Sequence, residues 1–146
     1  MSEHIYKQHN KTLLLYHLVL PAKYRRKVFK KEVIETLKEI CFGLKDRYEI
    51  RFLEIGAEED HLHFMVQGVP SMSVKEIVNI VKSITAKKIF QKHPEIKRFL
   101  WGGNLWTSGY YANTVGQYGN EEVIRKYVKN QGKEYKQIYR DQLTLF

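Results

Sequence analysis

The sequence is poor in cysteine and in long apolar segments. Cys41 is the single cysteine, so the chain can form no intrachain disulfide and no zinc site built on cysteines. The longest apolar run, residues 13–20, is interrupted by His17 and is too short to cross a bilayer. A Walker-type phosphate loop is also missing. We therefore expect a cytoplasmic protein that makes no membrane contact.

The composition favours a compact protein with a polyanionic partner. A length of 146 residues, with 43% hydrophobic and 13% aromatic side chains, suits a single domain spanning 1–146. The net charge of +9 indicates attraction to nucleic acid, because basic side chains that neutralise phosphates release counterions. A generically basic protein without such a partner is the alternative.

Hydrophobic periodicity predicts strands at residues 12–20, 50–55, 61–67 and 105–113, with a polar turn at 56–60 between the middle two. A first amphipathic helix is predicted from apolar residues at helical spacing, which are Val33, Ile34, Leu37, Ile40, Cys41 and Leu44. Ser73 and Glu76 form a capping box before a second helix. Asn120 is a suitable cap for a last helix, at about residues 120–135.

This order of elements indicates an α+β fold. A β-α-β-β-α-β succession is typical of the ferredoxin-like (RRM-like) antiparallel sheet, here with a core at about residues 12–113 and an additional C-terminal helix that carries Tyr127.

Two histidines of the third predicted strand share one face. Side chains alternate along a strand, so His61 and His63 project together, while Leu62 and Phe64 point into the core. Such a pair can hold a divalent cation, with Glu59 and Asp60 as hydrogen-bond partners of the ligands. The alternative is a pair of partly exposed histidines with no metal. His17 is interpreted as a core histidine outside the site.

Tyr127 and Gln131 lie four residues apart on the last predicted helix and therefore on one stripe. A tyrosine on an apolar stripe is often part of the core, but a buried glutamine needs polar partners. Gln131 is a candidate third ligand to the ion of the two histidines, beside Tyr127 as a nucleophile. Three protein ligands would leave open positions for a phosphate.

Several motifs together resemble the single-tyrosine HUH (His-hydrophobic-His) transposases of small bacterial insertion sequences, the TnpA type. They are YHLV at 16–19, KYRRKV at 23–28, DHLHF at 60–64, LWTSGYY at 105–111, TVG at 114–116 and YVKNQ at 127–131. The resemblance covers residues 12–137, with Ala22 standing where a larger residue is common.

The resemblance implies a metal-dependent transposase. His61, His63 and Gln131 would bind Mg²⁺ or Mn²⁺, and Tyr127 would form a 5′-phosphotyrosine with single-stranded DNA. It also implies recognition of DNA hairpins at element ends and a homodimer whose active sites are shared between subunits.

Candidate DNA contacts are basic residues that could equally form an ordinary solvated surface: Lys23, Arg25, Arg26, Lys82, Lys87 and Lys88. Trp106, Tyr110 and Tyr111 either stack on bases or pack against the sheet. Two other functions remain open. One is a non-catalytic module that binds single-stranded nucleic acid, and the other is a domesticated relative that processes chromosomal hairpins.

Overall fold

The computed structural model describes residues 4–101 and 103–115, and the backbone of residues 136–140. The strands are β1 (Ile5–Tyr6), β2 (Lys11–Thr12), β3 (Leu14–Pro21), β4 (Arg51–Glu58), β5 (His61–Gly68), β6 (Tyr111–Val115) and β7 (Lys136–Arg140). The helices are α1 (Lys31–Tyr48), α2 (Val74–Lys92) and α3 (Pro94–Phe99). None of the helices in these ranges is long and apolar enough to span a membrane.

Five strands form one antiparallel sheet in the order β6-β3-β5-β4-β7. Helix α1 lies between β3 and β4, and α2 lies between β5 and β6. Strands β3, β4, β5 and β6 therefore have the predicted ferredoxin-like arrangement. This confirms the predicted ferredoxin-like sheet, whereas the predicted C-terminal helix lies outside the described residues. The edge strand β7, the helix α3 and the small β1–β2 hairpin were not predicted.

The fourth strand of the predicted fold begins and ends later in the sequence than predicted. The chain is irregular at residues 107–110, and strand β6 begins only at Tyr111. Lys82 explains the irregular segment, because its ammonium donates hydrogen bonds to the carbonyls of Thr107, Ser108 and Gly109 at 2.8, 3.3 and 3.0 Å. Trp106 still contacts the sheet, through a single bridge to Ala22.

The turn between β4 and β5 is shorter than predicted. Gly56 and Ala57 belong to β4, where they pair with His63 and Leu62. Only Glu59 and Asp60 lie between the strands.

The helices pack on one face of the sheet. Leu62, Phe64 and Val66 of β5 point to this face and join the apolar residues of α1 and α2 in the main core. Ser73 begins α2 with the predicted capping box, in which the backbone N–H groups of Ser73 and Glu76 each donate to the other residue's side chain.

Candidate active site

The opposite face of the sheet carries the polar residues. A small apolar cluster of Leu15, Leu53, Met65 and Val115 lies there, and His17, His63 and Gln67 are buried on the same face. In antiparallel pairing, directly opposite residues share a face. His63 is therefore on the same side as its β3 partner Val19, and His17 is two residues along that strand.

The structure brings the two imidazoles of the His-x-His motif together. The ring centroids of His61 and His63 are 4.8 Å apart, with their planes inclined by 68°. Both residues are at the start of β5, where the tight turn to β4 fixes the backbone.

His61 is held by two carboxylates. Its Nδ1 donates to Oδ1 of Asp60 at 2.6 Å, and its Nε2 is 3.3 Å from Oε2 of Glu58. A hydrogen bond on one ring nitrogen sets the tautomer and leaves the other nitrogen for a ligand. Asp60 therefore orients His61 so that Nε2 faces Glu58.

Asp60 also binds Arg25, whose Nε is 3.2 Å from Oδ2. Burial would raise the pKa of the Asp60 carboxyl, but the hydrogen bonds from His61 and Arg25 outweigh it and lower that pKa. Asp60 therefore remains a carboxylate at neutral pH and keeps accepting from His61.

Glu58 is a candidate ligand that the sequence interpretation missed. Register places it directly opposite His61, and its Oε1 is shielded from solvent without a hydrogen-bond partner in the described part of the chain. Ligand atoms of Glu58, Asp60 and His61 all lie within 4.8 Å of one another. Carboxylate oxygens and an imidazole nitrogen are donor types that divalent cations bind, so the three side chains form a candidate metal-binding group.

Glu59, in contrast, forms an ion pair with Lys27. Its carboxylate is 3.5 Å from the ammonium of Lys27, and both side chains are exposed. Of the two acidic residues expected beside the histidine pair, Asp60 contacts His61 and Glu59 contacts Lys27 instead.

His63 is buried behind His61 and stacks on His17. The ring centroids of His63 and His17 are 5.7 Å apart and their planes differ by only 7°, while Tyr111 meets His17 edge-on at 5.9 Å. Burial lowers the pKa of His17 to about 4, and burial with the neighbouring His61 and His17 lowers that of His63 to about 3. Both rings are therefore neutral at physiological pH, which is the form that binds metals.

The basic loop, residues 23–27, lies beside this histidine site. The backbone N–H of Ala22 donates to the carbonyl of Asp60 at 2.8 Å, and Arg25 contacts the Asp60 side chain. Lys23 and Arg26 extend over aromatic rings, with the Lys23 ammonium 5.4 Å from the Tyr24 centroid.

The predicted DNA contacts on α2 differ in their surroundings. Lys87 and Lys88 are exposed. The Lys82 ammonium is bound by backbone carbonyls, and burial lowers its pKa.

The aromatic candidates also differ from one another. Trp106 is buried against Phe29, with ring centroids 5.3 Å apart, and donates its Nε1–H to Thr85 at 2.9 Å, so it packs in the core. Tyr110 and Tyr111 are exposed.

Comparison with known proteins identifies the family. The model of the family "Transposase IS200 like" matches residues 10–131. The chain belongs to this IS200-like transposase family. It is 31% identical to the ISDra2 transposase TnpA of Deinococcus radiodurans, over 81% of this chain and 84% of the relative. It is also 31% identical to the transposase for insertion sequence element IS200 of Salmonella typhimurium, over 83% of this chain and 78% of the relative.

Two solved structures are similar to this chain. A crystal structure from Deinococcus radiodurans R1, assigned as a transposase, aligns with a TM-score of 0.71 and 27% identity, over 89% of this chain and 99% of that one. The structure of a REP-associated tyrosine transposase bound to a REP hairpin aligns with a TM-score of 0.52 and 10% identity, over 86% of this chain and 68% of that one. This second likeness shows the fold alone.

The IS200-like match extends over Tyr127 and Gln131. Both residues, with the helix predicted at 120–135, lie outside the described part of the chain. That Tyr127 and Gln131 lie close to His61 and His63 therefore stays a prediction.

Proposed function

We propose that this protein is a metal-dependent transposase that binds DNA hairpins, and that it cleaves and rejoins single-stranded DNA through a 5′-phosphotyrosine on Tyr127. The observation that carries the proposal is the close imidazole pair of His61 and His63, with His61 oriented by Asp60 and a basic loop beside the pair. Membership of the IS200-like transposase family supports DNA cleavage and strand transfer as the reaction class.

In this proposal His61, His63 and Gln131 hold Mg²⁺ or Mn²⁺, with Glu58 as a further oxygen donor beside His61. The ion would polarise a phosphate oxygen and stabilise the negative charge that develops on it. Asp60 keeps the His61 ring in one tautomer. Burial keeps His63 from being protonated in competition with the ion.

Tyr127 supplies the nucleophile. Its hydroxyl loses a proton and its oxygen bonds to phosphorus, while the bond from phosphorus to the 3′-oxygen of the preceding nucleotide breaks and that oxygen takes up a proton. The phosphotyrosine keeps the energy of the broken phosphodiester. A 3′-hydroxyl can therefore reverse the step without a nucleotide cofactor, in agreement with the missing Walker-type loop.

Phosphate contacts would come from the basic residues near the histidines. Arg25 lies against Asp60, and Lys23 and Arg26 are in the same loop. Lys82, Lys87 and Lys88 of α2 would add further phosphate contacts. We further propose a homodimer in which Tyr127 and Gln131 of one subunit complete the histidine site of the other.

The test is formation of a covalent protein–DNA adduct. Hairpin oligonucleotides with single-stranded flanks, taken from the DNA around the gene, are incubated with Mn²⁺ or Mg²⁺ and separated on a denaturing gel. We expect an adduct with the native protein and with the control variant Tyr135→Phe, and none with Tyr127→Phe or with a chelator. An adduct with Tyr127→Phe would refute the nucleophile.

The same assay separates the other candidate functions. A non-catalytic module would bind the oligonucleotides tightly, ignore chelators and give no adduct with any substrate. A domesticated relative would give the adduct with chromosomal repeat hairpins and not with element ends.

A further inference from the structure

We propose that an exposed group of four side chains binds an unpaired nucleobase of single-stranded DNA by stacking. The group, called here the aromatic platform, consists of Tyr24, Arg26, Phe99 and Trp101. This proposal deepens the function proposed above and rests on it, because it adds a base-binding subsite next to the candidate active site.

The platform is assembled from two separate segments. The rings of Tyr24 and Trp101 have centroids 5.9 Å apart and planes inclined by 49°. The guanidinium carbon of Arg26 lies 4.4 Å from the Trp101 centroid and 4.8 Å from that of Phe99. A guanidinium is attracted to the faces of aromatic rings, so Arg26 joins Phe99 and Trp101 in one group.

These rings are unusually open to solvent. The exposed fractions are 75% for Trp101, 62% for Tyr24 and 48% for Phe99. Single exposed aromatic residues are common, but contiguous ones mark binding surfaces because their burial against a partner is favourable.

Backbone strain coincides with the platform. Among the described residues, four that are not glycine have positive φ, and three of them are Tyr24 (59°), Arg25 (53°) and Trp101 (56°). Such conformations persist only where the surroundings hold them, and they cluster at functional sites.

Backbone hydrogen bonds hold these strained residues in place. The N–H of Arg25 donates to the carbonyl of Ala22 at 2.9 Å, and that of Trp101 donates to the carbonyl of Arg98 at 3.0 Å. Tyr24 and Trp101, the two most exposed rings of the platform, therefore both lie on backbone with positive φ.

The surrounding charges favour a nucleic acid strand over an apolar protein partner. Segments 23–27 and 97–101 contain six basic residues, Lys23, Arg25, Arg26, Lys27, Lys97 and Arg98, and no acidic ones. Aromatic rings that interleave with basic side chains bind single strands, since bases stack while phosphates are neutralised. Arg25 links the platform to Asp60 and His61, so a base stacked here belongs to DNA that reaches the candidate active site.

Tryptophan fluorescence tests the stacking directly. The protein has two tryptophans, the exposed Trp101 and the buried Trp106. The probe is a fluorescein-labelled 20-mer of thymidine, which has no secondary structure, titrated in a chelator so that no cleavage occurs. We expect the DNA to quench Trp101 and to leave the emission of Trp101→Phe, which reports Trp106, almost unchanged.

Affinities from fluorescence anisotropy give the second readout. Trp101→Ala is expected to bind at least about 5-fold more weakly, the lower end for one stacked base, and Trp101→Phe to retain most of the affinity. The slope of affinity against salt concentration stays the same for both, because no phosphate contact is lost. Tyr6→Ala is the matched control, since Tyr6 is 70% exposed and also lies under a lysine ammonium, that of Lys11.

Trp101→Gly separates the ring from the backbone. Glycine adopts positive φ without strain, so this variant should fold at least as well as Trp101→Ala and bind equally poorly. Native-like affinity of Trp101→Ala and Trp101→Gly would overturn the proposal. If the Trp101 variants bind DNA normally while Tyr127 still forms its adduct, the aromatic platform is refuted and the proposed function stands. If the Trp101 variants lose affinity but Tyr127 forms no adduct, only the proposed function is refuted.

Discussion

Acid should destabilise the metal-free protein through His17 and His63. Burial holds the pKa of His17 at about 4 and that of His63 at about 3, against 6.5 for an unhindered imidazole. Since the folded pKa lies below the unfolded one, the unfolded chain takes up protons first as the pH falls. The stability that these groups contribute is therefore complete above about pH 6.5 and is lost progressively as the pH falls to about 4 for His17 and about 3 for His63.

The size of the loss follows from the two pKa values. At pH 5 the unfolded state binds nearly one proton per histidine and the folded state almost none, and over the interval from pH 7 to pH 5 this difference costs about 2 kcal/mol for each residue. The two together remove about 4 kcal/mol, a large part of the 5–15 kcal/mol that is typical of a whole domain.

Urea unfolding at pH 7, 6 and 5 in the presence of a chelator measures this loss. His17→Leu should show about half of it, because one of the two titrating rings is gone. The ring nitrogens of His17 have no hydrogen-bond partner in the described part of the chain, so the variant loses no hydrogen bond at pH 7. His9→Gln is the control, since His9 is exposed and should leave the pH dependence unchanged.

A free energy of unfolding that stays flat from pH 7 to pH 5 would refute this reasoning. It would mean that the two rings titrate in the folded protein as they do in water. The full loss in His17→Leu would equally contradict the assignment to His17.

Two further changes test individual contacts. Asp60→Asn should weaken Mn²⁺ binding about 10- to 100-fold in calorimetry, because the amide no longer fixes the His61 ring. Asp46→Asn is the control and should have no effect, since Asp46 is exposed. Equal affinities for the two variants would contradict this role of Asp60. Thr85→Val should lower the free energy of unfolding by about 1–3 kcal/mol in urea, because the buried Trp106 N–H loses its acceptor, and an unchanged midpoint would contradict that hydrogen bond.

The sequence predicted the fold well because its signals are local. The Ser73 capping box and the apolar spacing of α1 depend on neighbours within a few residues, and both were confirmed. Helix α3 has only six residues, too few for a helical period to be visible. The start of β6 depends on how Lys82 binds residues 107–109, a contact between distant segments.

The candidate site was only partly predictable for a similar reason. Alternation along a single strand placed His61 and His63 on one face. The roles of Glu58 and His17 depend on register with β4 and β3, which a single strand does not reveal. A tight two-residue turn would have suggested Glu58, since residues that flank such a turn lie opposite each other.

Crystals of the full chain grown with Mn²⁺ test the central claim most directly, through the anomalous scattering of the ion. We predict one ion bonded to the ring nitrogens of His61 and His63 and to the side-chain oxygen of Gln131, with the Tyr127 hydroxyl beside it from either subunit. An ion bound elsewhere, or Gln131 and Tyr127 remote from both histidines in every pairing of subunits, would contradict the account.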